Sequence, residues 1–300
     1  MKRLVFNLQR RTMKRANLIG CVVLSILFIS PVMTWAGSCP EGQKENDRTG
    51  ECVPIKGAAK TKKSLSSGSG WRFERSLPVG AKKHGHQLVF APDYPVRYGK
   101  KSERFEVRPG DCSRGKKSGS WDDCKEDRER SELIQRGYRQ SEGDEYWYRW
   151  SIYIPEGHQN IYRTKLAYAQ FHQEGCSPVF MFQEYGGGYW LNIQPPIKGY
   201  DDNRILLEAK EFIGKWNDIV VHARWSKKND GWFRVWVNGE EKTSHDGKTM
   251  TCNDVYFKYG VYRSFISRNR ELSKTVTTIA YYDGVVRSKS KEGMFDPLPE

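Results

Sequence analysis

The sequence predicts an all-β protein, a sandwich or jelly roll, and three observations carry that expectation. Short runs that alternate in polarity or are wholly apolar recur from Trp71 onward, separated by turn residues. Few stretches repeat apolar residues at helical spacing over three turns. Asn238-Gly239 directly follows the alternating run Trp232–Val237, and this dipeptide tolerates the positive φ angles of a two-residue hairpin. Many short strands in one domain imply two packed sheets.

The expected strands, in chain order, are Gln87–Ala91, Arg104–Val107, Ser131–Gln135, Glu145–Ile154, Lys165–His172 and Val179–Glu184. They continue with Tyr189–Gln194, Ile205–Glu208, Trp216–Trp225, Trp232–Val237, Tyr256–Arg263 and Thr275–Val286. No internal repeat is apparent. Two of these strands combine apolar and titratable rows. In Tyr256–Arg263, alternation puts Tyr256, Lys258, Gly260 and Tyr262 on one face and Phe257, Tyr259 and Val261 on the other. In Tyr168–Glu174, Tyr168, Gln170 and His172 share one face, and Ala169 and Phe171 share the other. The pair suggests a sheet with a dry back and a working front. The glycine allows something to approach the backbone closely.

The chain before Trp71 has a different character. Met1–Arg15 is basic, Ala16–Val32 is almost wholly apolar, and Thr34-Trp35-Ala36 places small residues where a signal peptidase cuts. Residues 1–36 therefore read as a secretory signal, with an uncleaved anchor as the alternative. Residues 37–70 read as a small disulfide loop and a basic Gly/Ser linker, Gly57–Gly70. The main domain is expected over 71–300, exported to the periplasm or outside the cell, with no stable membrane association after cleavage.

Without Cys21, which lies in the signal, six cysteines remain: Cys39, Cys52, Cys112, Cys124, Cys176 and Cys252. An even number in an exported chain implies disulfides. The simplest pairing is sequential, and Cys176–Cys252 would then tie together the two strands with titratable rows. A zinc site needs close Cys or His pairs, and the sequence has no C-x-x-C, so no metal centre is expected.

The formal net charge of +14 favours a polyanionic partner. Sixteen Tyr, ten Trp and thirteen Phe supply faces that stack on sugars, but the same residues fill sandwich cores. Nucleic acid is disfavoured as the polyanion, because an exported disulfide protein seldom meets it and no recognition motif is present.

Three motifs resemble those of the β-jelly-roll polysaccharide lyases, the group of alginate, glucuronan and heparin-lyase-like enzymes. They are R-S-E-L at Arg130–Leu133, Q-F-H at Gln170–His172 and Y-F-K-Y-G-V-Y at Tyr256–Tyr262, and they fall in the family's order. The resemblance spans Trp71 to the C-terminal region. It departs from the alginate-lyase form at Ile134, where that branch has a basic residue. The fold implied is a concanavalin-like β-jelly-roll sandwich, here following a short disulfide-bonded N-terminal segment. By resemblance, Tyr262 matches the catalytic tyrosine, Gln170 and His172 match the carboxylate-neutralising and base positions, and Arg130 matches the substrate-binding arginine. Lys258 has the lysine–tyrosine spacing of the heparin-lyase-like members. Tyr256, Arg263 and Tyr168 are expected beside them as substrate contacts. The resemblance implies no required cofactor and is compatible with a structural calcium, although no D-x-D-x-D-G loop occurs. The expected partner is an anionic polysaccharide, and the chain is expected to be a monomer.

The residue types suit that chemistry. A lyase removes the C5 proton of a uronic acid and expels the O4 sugar, so it needs donors for the carboxylate, a base for C5 and an acid for O4. Two other classes compete with this reading. A glycoside hydrolase on a similar sandwich commonly shows E-x-D-x-x-E, but Glu142-Gly-Asp144 is followed by Trp147, not a third acid. A non-catalytic, lectin-like module would explain the sandwich, charge and aromatics without requiring Tyr262 and His172 to converge.

Overall fold

In a computed structural model, residues 71–296 and two short strands, Gln43–Glu45 (β1) and Cys52–Pro54 (β2), are described. The chain divides between Lys60 and Thr61. In the first unit, β1 and β2 pair antiparallel, with Lys44 opposite Val53. The signal segment, the Gly57–Gly70 linker, Cys39 and the side chain of Cys52 lie outside the described residues.

The second unit is a sandwich of two seven-stranded antiparallel sheets. The front sheet contains β3 (Arg72–Arg75), β6 (Arg128–Arg136), β8 (Lys165–Gln173), β9 (Cys176–Tyr185), β10 (Gly188–Ile193), β11 (Asp202–Leu207) and β15 (Val255–Ser264). Its spatial order is β11-β10-β9-β8-β15-β6-β3. The back sheet contains β4 (His86–Phe90), β5 (Lys101–Val107), β7 (Glu145–Tyr153), β12 (Trp216–Arg224), β13 (Trp232–Val237), β14 (Glu240–Asp246) and β16 (Thr278–Ser288). It runs β14-β13-β12-β7-β16-β5-β4. Neighbours far apart in sequence, such as β15 between β8 and β6, are the crossovers of a jelly roll.

Alternation fills the space between the sheets. Phe171, Phe180, Phe182, Phe257, Tyr259 and Val261 from the front sheet meet Phe105, Tyr148, Trp150, Phe233 and Tyr282 from the back. Phe180 and Phe233 stack face to face with centroids 3.9 Å apart, and Trp150 meets Phe182 edge-on at 4.9 Å. The aromatic excess is therefore partly a core property. Asn238 and Gly239 both have positive φ, at 52° and 86°, and make the expected hairpin from β13 to β14.

The sequence did not anticipate β3 and β14. Both are edge strands, and their polar residues make weak alternation. Short helices among the described residues are α1 (Pro195–Lys198), α2 (Ala209–Phe212) and α3 (Arg270–Thr275), and the strand expected to begin at Thr275 starts later because α3 takes its first residue. Cys112 bonds Cys124, and Cys176 bonds Cys252, as sequential pairing predicts.

Candidate active site

The candidate site lies on the outer face of the front sheet, where β6, β15 and β8 run side by side. Phe257, Tyr259 and Val261 point into the core, so Tyr256, Lys258 and Tyr262 take the outer face. Registration then assembles the three motifs. Tyr256 is opposite His172, Lys258 is opposite Gln170 on one side and Ile134 on the other, and Tyr262 is opposite Arg130.

At the centre is a buried row of alternating charge. The Glu132 carboxylate accepts hydrogen bonds from Lys258 Nζ and Gln170 Nε2, and from Arg130 Nη1 at 3.2 Å. Arg130 in turn grips Asp123 with both arms of its fork, Nε and Nη2, each at 2.6 Å. Asp123 comes from the loop closed by Cys112–Cys124, and its own N–H donates to the Ser113 carbonyl at 2.9 Å. The order Asp123–Arg130–Glu132–Lys258 alternates in sign, so four buried charges compensate one another.

Burial sets the protonation states. Desolvation pulls Lys258 down to about 8, and nearby Arg130 adds to this while Glu132 opposes it. Burial raises Glu132, but Lys258 and Arg130 outweigh it and hold the carboxyl below its usual range. Burial likewise disfavours the Arg130 cation, yet the Asp123 and Glu132 carboxylates keep it above its ordinary value. Lys258, Glu132 and Arg130 are therefore ionised at neutral pH.

His172 flanks one end. Its Nδ1 is 2.9 Å from the Gln173 carbonyl, which can only accept, so Nδ1 carries the hydrogen and Nε2 keeps a lone pair. The Tyr256 hydroxyl lies 3.0 Å from the same Nδ1, and the rings stack. Burial, and then the Lys258 charge, pull the imidazole down to about 4, so it is neutral at pH 7. Burial pushes Tyr256 up to about 12.

Tyr262 flanks the other end. Its ring lies against the Arg130 guanidinium, with the carbon 4.2 Å from the centroid. Burial raises its pKa, and Arg130 and Arg128 oppose that rise, so the phenol is protonated at rest while two cations favour its phenolate. No hydrogen bond from its hydroxyl to a described residue is present.

Gly260 makes this packing feasible. It has φ of +131° and sits at a bulge in β15 opposite Glu132. A Cβ there would stand 2.8 Å from the Phe105 ring and 2.9 Å from Glu132 Cα, with the Ser131 carbonyl closer still. The group that approaches the glycine is thus the neighbouring strand.

Two expected substrate contacts do not reach this face. A bulge between Ala167 and Ala169 turns Tyr168 into the core, where its hydroxyl donates to Glu184 at 2.9 Å. Arg263 shares the inward parity of Phe257 and Val261 and is fully buried. Its guanidinium donates to the Val276 carbonyl at 3.0 Å and the Ser273 carbonyl at 2.7 Å, anchoring α3. Two residues of the row were missed. Glu132 was legible, being two residues from Arg130 on the same strand face. Asp123 had no strand pattern to reveal it, because a loop delivers it. Among the described residues, no group of three or more His, Cys, Asp or Glu is placed to hold a metal ion.

Comparison with known proteins agrees with this architecture. The family model described as polysaccharide lyase matches residues 79–286, more than half of the chain. The crystal structure of an endo-β-1,4-glucuronan lyase from the fungus Trichoderma reesei is similar, with 16% identity and a TM-score of 0.50. The match covers 76% of this chain and 97% of that one. A tyrosine-to-phenylalanine variant of the family 7 alginate lyase A1-II′, in complex with product GGG, matches at 15% identity and a TM-score of 0.50, over 73% of this chain and 95% of that one. At these identities the likeness is one of fold. No curated protein matches the sequence. The family match spans both sheets and all three strands of the site, and the chain belongs to the polysaccharide lyase family.

Proposed function

We propose that this polysaccharide lyase is exported and cleaves a uronate-containing anionic polysaccharide by β-elimination, leaving a 4,5-unsaturated uronate at the new end. The observation that carries the reading is the Tyr262 phenol. Among the described residues its hydroxyl has no hydrogen-bond partner, and its ring lies on the Arg130 guanidinium beside a buried row of donors. The relatives named above are described as acting on glucuronan and alginate, which supports a polyuronate substrate. The two disulfides and the net charge of +14 support an exported protein with a polyanionic partner.

In this reading the uronate carboxylate lies over Gln170 and Lys258. Gln170 has a second amide hydrogen beyond the one given to Glu132, and Lys258 has further N–H donors. These donors stabilise the charge that moves onto the carboxylate as the C5 proton leaves. The C5–H electron pair forms the C4–C5 double bond, the C4–O4 bond breaks, and the departing oxygen takes a proton from Tyr262. The sugar decides the base. Where the C5 hydrogen and O4 share a face, Tyr262 first loses its phenol proton to solvent, a loss that Arg130 and Arg128 favour, and the phenolate then removes the C5 proton and returns it to O4. Where they lie on opposite faces, the His172 Nε2 lone pair receives it.

The test is ultraviolet absorbance of the conjugated product, with alginate, glucuronan and glycosaminoglycans each supplied to the purified protein. Rising absorbance with one polyuronate, abolished in Tyr262→Phe, supports the reading. Tight binding to every polyuronate without unsaturated product overturns it in favour of a lectin-like module.

A further inference from the structure

Beyond Tyr262, along the same strand, lies a group of cations to which the chemistry above gives no contact with the substrate. Ser264 is registered opposite Arg128 on β6 and opposite Lys165 on β8, so the two cations flank it, about 10 Å apart at their backbones. Glu129 and Leu166 turn inward, which leaves Arg128 and Lys165 on the outer face with Arg130 and Tyr262. The chain beyond β15 brings a third cation. The guanidinium carbons of Arg128 and Arg268 lie 3.9 Å and 3.8 Å from the centroid of one ring, that of Phe265.

None of the three cations is ion-paired with a described carboxylate. The acids nearby are engaged elsewhere. Asp127 accepts hydrogen bonds from the Ser267 backbone and hydroxyl, Glu129 faces Arg263, and Asp201 accepts from Asn192. Arg128 donates to the Asp127 carbonyl through Nη1, while its buried Nε has no partner. Burial lowers the Lys165 pKa, Asp201 raises it, and Arg268 and Arg128 lower it further. The three like charges repel one another, and no described carboxylate pairs with them at contact distance, although Asp201 offsets the repulsion at Lys165; the row around Glu132, by contrast, is paired at contact. An arriving anion relieves that repulsion.

We propose that Arg128, Lys165 and Arg268 form an anion subsite next to Tyr262. It would take the acidic group, a carboxylate or a sulfate ester, of the sugar adjoining the one whose bond is broken. This rests on the proposed lyase reading of the Tyr262 face and deepens it: the enzyme would select polymers with charge on consecutive rings. Ser264 is two residues beyond Tyr262, about 7 Å along the strand, a span suited to the neighbouring ring. Arg128 and Arg268 offer planar forks for an oxyanion, and Lys165 adds a point charge.

The experiment measures oligosaccharide binding by calorimetry in the Tyr262→Phe background, so that no cleavage intervenes. Three ligands of equal length are compared: a homopolymeric uronate, uronate alternating with a neutral hexosamine, and uronate alternating with an O-sulfated hexosamine. The Kd of the homopolymer, the sulfated oligomer or both is expected to be tighter than that of the neutral-alternating one. Lys165→Gln and Arg268→Gln, each at a side chain in partial or full contact with solvent, should each weaken the tighter ligand about tenfold. Which oligomer loses affinity identifies carboxylate or sulfate as the group bound. Equal Kd values for all three oligomers, or unchanged values in both variants, overturn the subsite. Absence of unsaturated product from the wild-type protein, with the charge-selective binding intact, would instead overturn the lyase reading and leave the subsite standing.

Discussion

Lys258 Nζ and Glu132 Oε2 form an ion pair between side chains that are only 6% and 3% exposed, across the pairing of β15 with β6. The same carboxylate also receives Arg130 and Gln170, so it organises residues from all three motifs. Removing one partner of a buried pair leaves the other charge uncompensated.

Glu132→Gln should therefore destabilise the fold by about 3–5 kcal/mol, read as a lower urea midpoint at unchanged slope. It should also lower the Lys258 pKa further, since Glu132 is the largest influence raising it. The alkaline limb of activity would then move to lower pH. A variant with wild-type stability and an unmoved limb would show that the row is not electrostatically coupled.

The pH profile of kcat/KM should be bell-shaped. Lys258 is a cation below its folded pKa of about 8, so its help to a substrate carboxylate is lost as pH rises through 8. His172 is neutral above about 4, so its lone pair is lost as pH falls through 4. In His172→Gln turnover itself should fall for a substrate whose proton goes to His172, whereas a substrate for which Tyr262 performs both transfers should keep its turnover and show no His172 limb near 4 in either protein.

Tyr262→Phe should lower turnover by about 10²–10⁴-fold with little change in melting temperature, because its hydroxyl holds no described partner. Tyr259→Phe is the control. That hydroxyl donates to Glu103 at 2.8 Å inside the sandwich, so its loss should reduce stability by about 1 kcal/mol and leave turnover largely intact. The reverse pattern would place the chemistry on the wrong face of β15.

Gly260→Ala should be poorly tolerated. The added methyl meets the Ser131 carbonyl and the Phe105 ring at a φ of +131°, and the backbone strain alone is worth about 1–3 kcal/mol. Circular dichroism melting should show a marked loss of stability, whereas Gly239→Asn, in an open hairpin turn, should melt close to wild type.

Reduction of Cys176–Cys252, which closes a separation of 76 residues, should remove about 2–4 kcal/mol. The effect should appear in the Cys176→Ser and Cys252→Ser variants alike. Nearby, Gln173 Oε1 accepts from the backbone N–H groups of Thr251 and Cys252, which supports the same junction. Single variants that melt like wild type would show that these hydrogen bonds, without the disulfide, suffice to hold it.

Much of this protein is decided by local pattern. Period-two alternation is enough to put Lys258 and Tyr262 on one face and Phe257 and Tyr259 on the other, because a strand has only two faces. Asn238-Gly239 determines its hairpin by backbone sterics, and Cys112–Cys124 and Cys176–Cys252 follow the sequential pairing. Alternation also made Glu132 available beside Arg130. Tertiary structure decided what depends on registration between distant strands and on departures from regularity. A single bulge reverses the face of Tyr168, and no composition rule marks where the extra residue falls. Arg263 followed its inward parity and found the end of α3, a short helix whose polar sequence gave no warning of its place. Asp123 reaches Arg130 only because a disulfide loop folds back over the sheet. The charges of the site were thus visible one by one in the sequence. Their pairing was not, because the energy of a buried charge depends on which partner the fold places within a few ångströms.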